Sequence, residues 1–280
     1  MVLGGEGLLA RELVPALERR GWRTTPVSHG DCDITHEDAV LRALEHTLPT
    51  TVFNCAAYTQ VDRAEVEQDR AHAVNAVGAR NVARAAARAG VAVVHVSTDY
   101  VFDGRASRPY REDDATAPLG VYARSKLAGE QAVLREHKDA HVVRTGELYG
   151  TGGRNFFNVV LGRARRGDSL RVVDDQTVGP TWTRELALQI VHLVESGAPA
   201  GIYHATAAGE ATWYEAACFA VSQLGMDASL VRPVSTAEYA SPSPRPPYSV
   251  LGHEALERLG LYVMRHWRTA LGEWLSEGHV

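Results

Sequence analysis

Cysteine is scarce in this chain: Cys32, Cys55 and Cys218 are the three in 280 residues. They lie far apart, form no C-x-x-C and match no metal-ligand spacing. That excludes a disulfide framework and points to a reducing cytoplasm. Long hydrophobic runs are missing, so no membrane span is expected. No signal peptide is expected ahead of a glycine-rich turn that begins at Gly4. Basic runs are missing as well, and the formal net charge is −5, so nucleic acid is not an expected partner. The 12 histidines, from His29 to His279, contain no H-E-x-x-H or similar pattern, and no metal site is expected. There is no internal repeat.

What is present is an ordinary globular composition, 45% hydrophobic and 22% charged, with enough apolar surface for a core. Short apolar runs alternate with helical stretches through the first half. Val2-Leu3 reads as a stub of strand. Leu9, Leu13 and Leu17 share one face of a helix over 8–20. A strand is expected over 22–28, a helix over 33–48 and a strand over 51–56. The alanine-rich stretch 71–89 reads as a helix that Gly90 ends. The run 91–97 (V-A-V-V-H-V-S) suits a strand buried on both faces. A helix over 122–137 and a strand over 141–144 follow. Strands separated by helices predict a parallel sheet with right-handed crossovers. From about Asn155 the alternation loosens, with helices expected over 155–166 and 184–196, a strand over 170–173, and a last helix carrying Trp267, Leu271 and Trp274. Residues 241–247 (S-P-S-P-R-P-P) form a proline-stiffened loop, read equally as a linker or as a wall of a binding site.

Gly4-Gly5-Glu6-Gly7-Leu8-Leu9-Ala10 follows a strand and opens a helix, with G-x-x-G-x-x-A spacing. Small residues there let the backbone approach a pyrophosphate, which can rest on the free N–H groups of the helix start. A plain glycine turn without a ligand is the alternative. The second strand ends Val27-Ser28-His29 with no carboxylate for a ribose 2′-hydroxyl, which favours NADP(H), with NAD(H) as the other option. Asp33 either approaches the adenine or caps a helix.

Tyr122-Ala-Arg-Ser-Lys126 places a phenol and an ammonium on one helix face. An ammonium nearby is expected to lower the phenol's pKa, so that the pair can deliver a proton to a ketone oxygen as hydride reaches the carbon. Alone, the spacing is weak and an exposed helix face explains it. Ser97-Thr98-Asp99-Tyr100, at the carboxyl end of the buried strand 91–97, adds a hydroxyl where ligands of open α/β sheets bind.

Longer stretches carry more specific information. They include G-G-E-G-L-L-A-R-E-L (4–13), D-I-T (33–35), N-C-A-A-Y-T-Q-V-D-R-A-E (54–65) and V-N-A (74–76). The most specific are S-T-D-Y-V-F-D-G (97–104), P-L-G-V-Y-A-R-S-K-L-A-G-E (118–130) and R-V-V-D-D-Q (171–176). P-T (180–181) and W-R-T-A-L (267–271) follow. In these the chain resembles the dTDP-4-dehydrorhamnose reductases, a branch of the extended short-chain dehydrogenases, nearly end to end. The resemblance implies a Rossmann-type doubly wound parallel sheet over 1–150 and a smaller C-terminal α/β lobe, mainly 151–280, that binds a sugar nucleotide. It implies Thr98, Tyr122 and Lys126 as the catalytic triad. Gly4, Gly7, Leu8, Leu9, Asp33, Ile34, Ala56, Ala57 and Thr59 would line the cofactor with Tyr122 and Lys126. Asn75 would support the site, and Tyr100, Glu147, Asn155 and Gln176 would face the substrate. A dTDP-sugar substrate and a homodimer are implied as partners.

The chain departs from the family pattern in three places. Only Met1, Val2 and Leu3 precede Gly4, so either the start lies upstream or the first strand is trimmed and the cofactor site weaker. Glu147 stands where relatives often carry a tryptophan, and Val178-Gly179 differs from the usual glycine and small residue. Both of these fall on the substrate side. Asp99 is followed by Tyr100 rather than by the glutamate that a 4,6-dehydratase needs. An epimerase, or a non-catalytic regulatory subunit like that of methionine adenosyltransferase, remains as an alternative, but all three catalytic positions are kept. Ketone reduction on a dTDP-4-keto-6-deoxysugar is the expected activity.

Overall fold

Side chains on a strand point alternately to the two faces of its sheet, and the apolar runs of this chain use both. In the computed structural model, which describes residues 1–278, twelve short strands form. They are β1 (Val2–Leu3), β2 (Pro26–Val27), β3 (Thr51–Asn54), β4 (Ala92–Thr98), β5 (His141–Thr145), β6 (Leu148–Tyr149), β7 (Leu170–Val173), β8 (Thr177–Val178), β9 (Thr181–Trp182), β10 (Gly201–His204), β11 (Ala211–Thr212) and β12 (Val231–Val234). Six of them make one sheet in the order β10-β5-β4-β3-β1-β2, and every pairing in it is parallel. The chain leaves β1 outward to β2, then returns to lay β3 on the other side of β1. That reversal opens a crevice beyond the carboxyl ends of β1 and β3, the place where open α/β sheets take their ligands.

Helices cover both faces. Leu3, Val52, Val93 and Val142 pack under α2 (Glu37–Thr47), α5 (Ala79–Ala89) and α6 (Val121–Glu136). Val2, Phe53, Val94 and Val143 pack under α1 (Ala10–Arg19) and α8 (Thr183–Glu195). Short helices α3 (Val61–Ala64) and α4 (Gln68–His72) lead into a π-helical turn, Ala73–Gly78, ahead of α5. A third core gathers Tyr149, Phe157, Trp182, Trp267 and Trp274, between α7 (Phe156–Arg165), α9 (Trp213–Gln223) and α12 (Trp267–Ser276). Around it β7 pairs with β12, β8 with β11 and β6 with β9. Two further short helices, α10 (Thr236–Tyr239) and α11 (Glu254–Arg258), complete the chain.

Several expectations shift. The strand expected over 22–28 shrinks to β2, because Pro26 cannot donate to a ladder and Trp22 turns in to meet Phe53 edge-on, ring centroids 6.2 Å apart. The helix expected from Asp33 starts only at Glu37, because the Asp33 carboxylate accepts the Thr35 amide at 2.9 Å and holds a turn there. The single helix 71–89 is three pieces. The last strand of the main sheet, β10, comes from the second half of the chain and was not read in the sequence, nor were α9 and β12. The expected lobe 151–280 ends on His279 and Val280, which lie outside the described residues. No helix among the described residues is long and apolar enough to cross a membrane.

Candidate active site

The crevice is a cleft of about 960 Å³. At its floor the turn after β1 brings backbone against backbone. Gly4 adopts φ +72°, and a Cβ there would meet the Ala56 amide nitrogen at 2.8 Å. The Gly7 amide donates to the Gly4 carbonyl at 2.8 Å, and the first helical bond is Arg11 N–H to the Gly7 carbonyl at 3.1 Å. A helix start leaves its leading amides without intrahelical partners, so this end presents N–H groups and a positive dipole to an anion. Gly4, Gly7, Leu8 and Leu9 line the cleft here. Asp33 and Ile34 line it from the β2 side, and Ala56, Ala57 and Thr59 line it from the segment after β3. At the end of β2, the Ser28 hydroxyl donates to Asp31 at 2.6 Å, and His29 lines the cleft. The Asp31 carboxylate, four residues past the end of β2, is held by Ser28 and does not line the cleft.

Thr98 ends β4, and Tyr122 and Lys126 share a face of α6; all three line the same cleft. Tyr122 hydrogen-bonds Thr98. The Lys126 ammonium donates to the Val96 carbonyl at 2.6 Å. The expected lowering of the Tyr122 pKa is not present in this state. Desolvation pushes the phenol above its usual value, the Thr98 hydrogen bond opposes that, and the nearby Asp99 and Glu147 carboxyls add to it. Lys126 bears the opposite cost of burial, and its pKa falls to about 8, against the pull of Glu130.

Two braces fix α6. Asn75, in the π-helical turn, accepts the Tyr58 amide at 2.8 Å, donates to the Tyr58 carbonyl at 3.0 Å and donates to the Ser125 hydroxyl at 3.0 Å. Ser125 in turn donates to the Tyr122 carbonyl at 2.7 Å. One side chain thus ties the loop after β3 to the catalytic helix. Gly129 permits the approach: a Cβ there would lie 1.9 Å from the Asn75 carbonyl oxygen. On the other side, Glu130 accepts from Ser97 at 2.9 Å and from Arg144 at 3.0 Å, with both members of the ion pair 2% exposed. The desolvation of such a pair largely offsets its attraction, while loss of one partner would leave the other charge buried and unpaired.

The substrate end is less uniform. Tyr100 and Glu147 line the cleft, and the Tyr100 phenol donates to Glu147 at 3.2 Å. Tyr100 also meets Tyr122 edge-on, with centroids 6.1 Å apart. Asn155 and Gln176, expected to face the substrate, do not line the cleft. Asn155 caps α7, accepting the Asn158 amide at 3.0 Å and donating to the Gly150 carbonyl at 3.2 Å. Gln176 donates to Thr236 at 2.9 Å. Both are buried, and these internal hydrogen bonds use both polar ends of Asn155 and the amide nitrogen of Gln176.

Known proteins extend the comparison. The family model described as the RmlD substrate binding domain matches residues 1–280. The chain belongs to this family. A dTDP-4-dehydrorhamnose reductase of Streptomyces griseus is 45% identical over 98% of this chain and 91% of its own length. A dTDP-4-keto-6-deoxy-D-glucose reductase of Streptomyces niveus is 44% identical over 97% and 94%. Among solved structures, a dTDP-4-dehydrorhamnose reductase from Bacillus anthracis in complex with NADP superposes with a TM-score of 0.95. It is 36% identical and covers 99% of this chain and 98% of its own. The Rossmann-type sheet is that of the family.

The residues present fit such a dinucleotide. Gly4 lets the turn close tightly against Ala56, and the helix start that follows lines the cleft through Gly7, Leu8 and Leu9, where its leading amides can meet a pyrophosphate. Sequence reasoning missed three groups. Arg154 lines the cleft. Asp99, buried and bonded by the Thr98 hydroxyl at 3.1 Å, has a pKa raised to about 6 by desolvation. Arg245 is near enough for its charge to act on Tyr100 and Glu147. The loop that carries Arg245 is pinned to α3, with Arg245 on Asp62 at 3.0 Å and Ser243 donating to Glu65 at 2.9 Å. Arg245 is the one charged residue in the proline run 241–247, which the sequence leaves equally as a linker or a wall of a binding site.

Proposed function

We propose that this protein reduces the C4 ketone of a dTDP-4-keto-6-deoxyhexose with NADPH. The observation that carries this reading is the meeting of Thr98, Tyr122 and Lys126 in one cleft with the glycine turn at Gly4. The full-length similarity to reductases of such sugars supports it. Bound in the cleft, NADPH supplies the hydride for ring carbon 4. Thr98 and Tyr122 hold the ketone oxygen between two hydroxyls. As negative charge gathers on that oxygen, Tyr122 releases its proton to it, and the phenol's raised pKa keeps that proton in place until the charge develops. Lys126, the cation nearest in sequence on the same helix face, steadies the phenolate left behind. Asn75 holds the helix that carries both groups against the loop after β3. The lobe built around Trp182, Trp267 and Trp274 takes the nucleotide-sugar, with Arg154 and Arg245 as candidate partners for its diphosphate. Ser28 and His29 at the end of β2 favour NADPH over NADH.

The test follows absorbance at 340 nm as purified protein meets NADPH or NADH, with and without an enzymatically generated dTDP-4-keto-6-deoxyhexose. Oxidation that depends on the sugar and runs faster with NADPH is expected. No oxidation with any such sugar would overturn the reading and favour a binding role for the fold.

A further inference from the structure

Three non-glycine residues among those described have positive φ: Leu48, Glu147 and Ala240. Leu48 and Ala240 close helices, where a left-handed residue is ordinary. Glu147 closes nothing. It sits between β5 and β6 at φ +51°, and its surroundings hold it there. Its carbonyl accepts the Thr181 amide at 3.1 Å. Before it, Gly146 has no room for a side chain, because a Cβ would lie 2.5 Å from the Asp99 carboxyl carbon. A strained backbone persists where the structure around it over-determines it, and such positions cluster at functional sites.

The consequence of this turn is that a carboxyl enters the wall that also holds Thr98, Tyr122 and Tyr100. One of its oxygens takes the Tyr100 phenol at 3.2 Å. Desolvation and the Asp99 carboxyl push its pKa well above the usual range, so the group can both donate and accept. A tryptophan at this position offers a sugar an apolar face. A carboxyl offers it hydrogen bonds, and a buried polar group left without a partner is costly.

We propose that Glu147 is a specificity-determining residue that hydrogen-bonds a hydroxyl on the ring carbon beside the ketone, so that the cleft selects keto-hexoses bearing that hydroxyl over their deoxy analogues. The proposal rests on the reductase reading, because the ketone held by Thr98 and Tyr122 fixes which ring substituents face residue 147. A site built to bond a substrate hydroxyl rejects an analogue without it far better than an apolar pocket does.

The experiment compares kcat and KM for dTDP-4-keto-6-deoxyglucose and its 3-deoxy counterpart in the wild type, Glu147→Gln and Glu147→Ala. NADPH binding and thermal melting serve as controls for folding. In the wild type the hydroxylated sugar is expected to win by roughly 10–100-fold in kcat/KM. Glu147→Ala is expected to lose most of that preference by weakening the hydroxylated sugar alone, and Glu147→Gln to keep much of it. Equal turnover of the two sugars by the wild type, or an equal loss on both in Glu147→Ala, would overturn the proposal and leave the reductase intact. A wild type silent on both sugars would take the reductase reading down and the proposal with it.

Discussion

The two ends of the cleft are made differently. At the cofactor end the walls are mostly backbone: a turn at Gly4, the start of α1, and the segment after β3 that carries Ala56, Ala57 and Thr59. Every residue expected there from sequence lines the cleft. At the sugar end the wall is side chains delivered from distant segments. Tyr100 follows β4, Glu147 follows β5 and Arg154 follows β6. Two of the expected residues, Asn155 and Gln176, are spent on internal hydrogen bonds. Backbone sites depend on small residues at fixed spacing, which a local motif records. Side-chain sites depend on how far-apart elements pack, which it does not. Of the three departures from the family pattern, the one that lines the cleft, Glu147, falls at the sugar end.

Substitutions at the two ends and at the centre between them can break this contrast. The largest effect is expected at the centre. Tyr122→Phe keeps the ring and removes the proton, so turnover should fall by about 10²–10⁴-fold while fluorescence titration finds NADPH binding unchanged. Wild-type turnover by this variant would remove Tyr122 from the chemistry.

Lys126→Met comes next and should separate activity from stability. Burial lowers the Lys126 pKa from the usual 10.5 to about 8. The unfolded chain therefore binds more protons than the folded one between those values, and stability rises with pH across that window. Below pH 8 the lysine is charged in both states and the full burial penalty remains, about 3 kcal/mol. The methionine variant should be inactive yet melt higher than the wild type at pH 7, and the gap should shrink as pH rises toward 10.5. Wild-type kcat/KM should fall as pH rises through about 8 and the ammonium is lost. A variant that melts lower at pH 7 would mean that the bond to the Val96 carbonyl outweighs the desolvation.

The smallest effects compare the two ends directly. Gly4→Ala forces a Cβ against Ala56 at a left-handed position and should weaken NADPH about 10–100-fold by isothermal titration. Gln176→Ala should leave the KM for the sugar unchanged and cost about 1 kcal/mol of stability. A large rise in KM would return Gln176 to the sugar site.

Much of the fold was legible because periodicity and burial agree. Val91–Ser97 reads as a doubly buried strand, and β4 is that strand moved by one residue. Tyr122 and Lys126 lie on the predicted helix, with Thr98 at the strand end beside them. The illegible parts share a cause. β10, β11 and β12 are two to four residues long, too short for a period to register. The π-helical turn at Ala73–Gly78 sits within one continuous helical stretch of sequence, and the packing of Asn75 on Tyr58 and Ser125 marks it out. The resting partner of Lys126 is a backbone carbonyl on another element, which no side-chain pattern encodes. For the same reason the tyrosine–lysine spacing suggested a lowered phenol pKa, whereas desolvation dominates in the folded chain.

The central claim is that the groups meeting in this cleft reduce a ketone at ring carbon 4, and isotope transfer tests it most directly. Turnover with NADPH deuterated at the transferable C4 position, followed by NMR of the sugar product, should place deuterium on carbon 4 of the hexose and on no other carbon. NADPH oxidation with no deuterium in the sugar, or with deuterium at another carbon, would contradict the account.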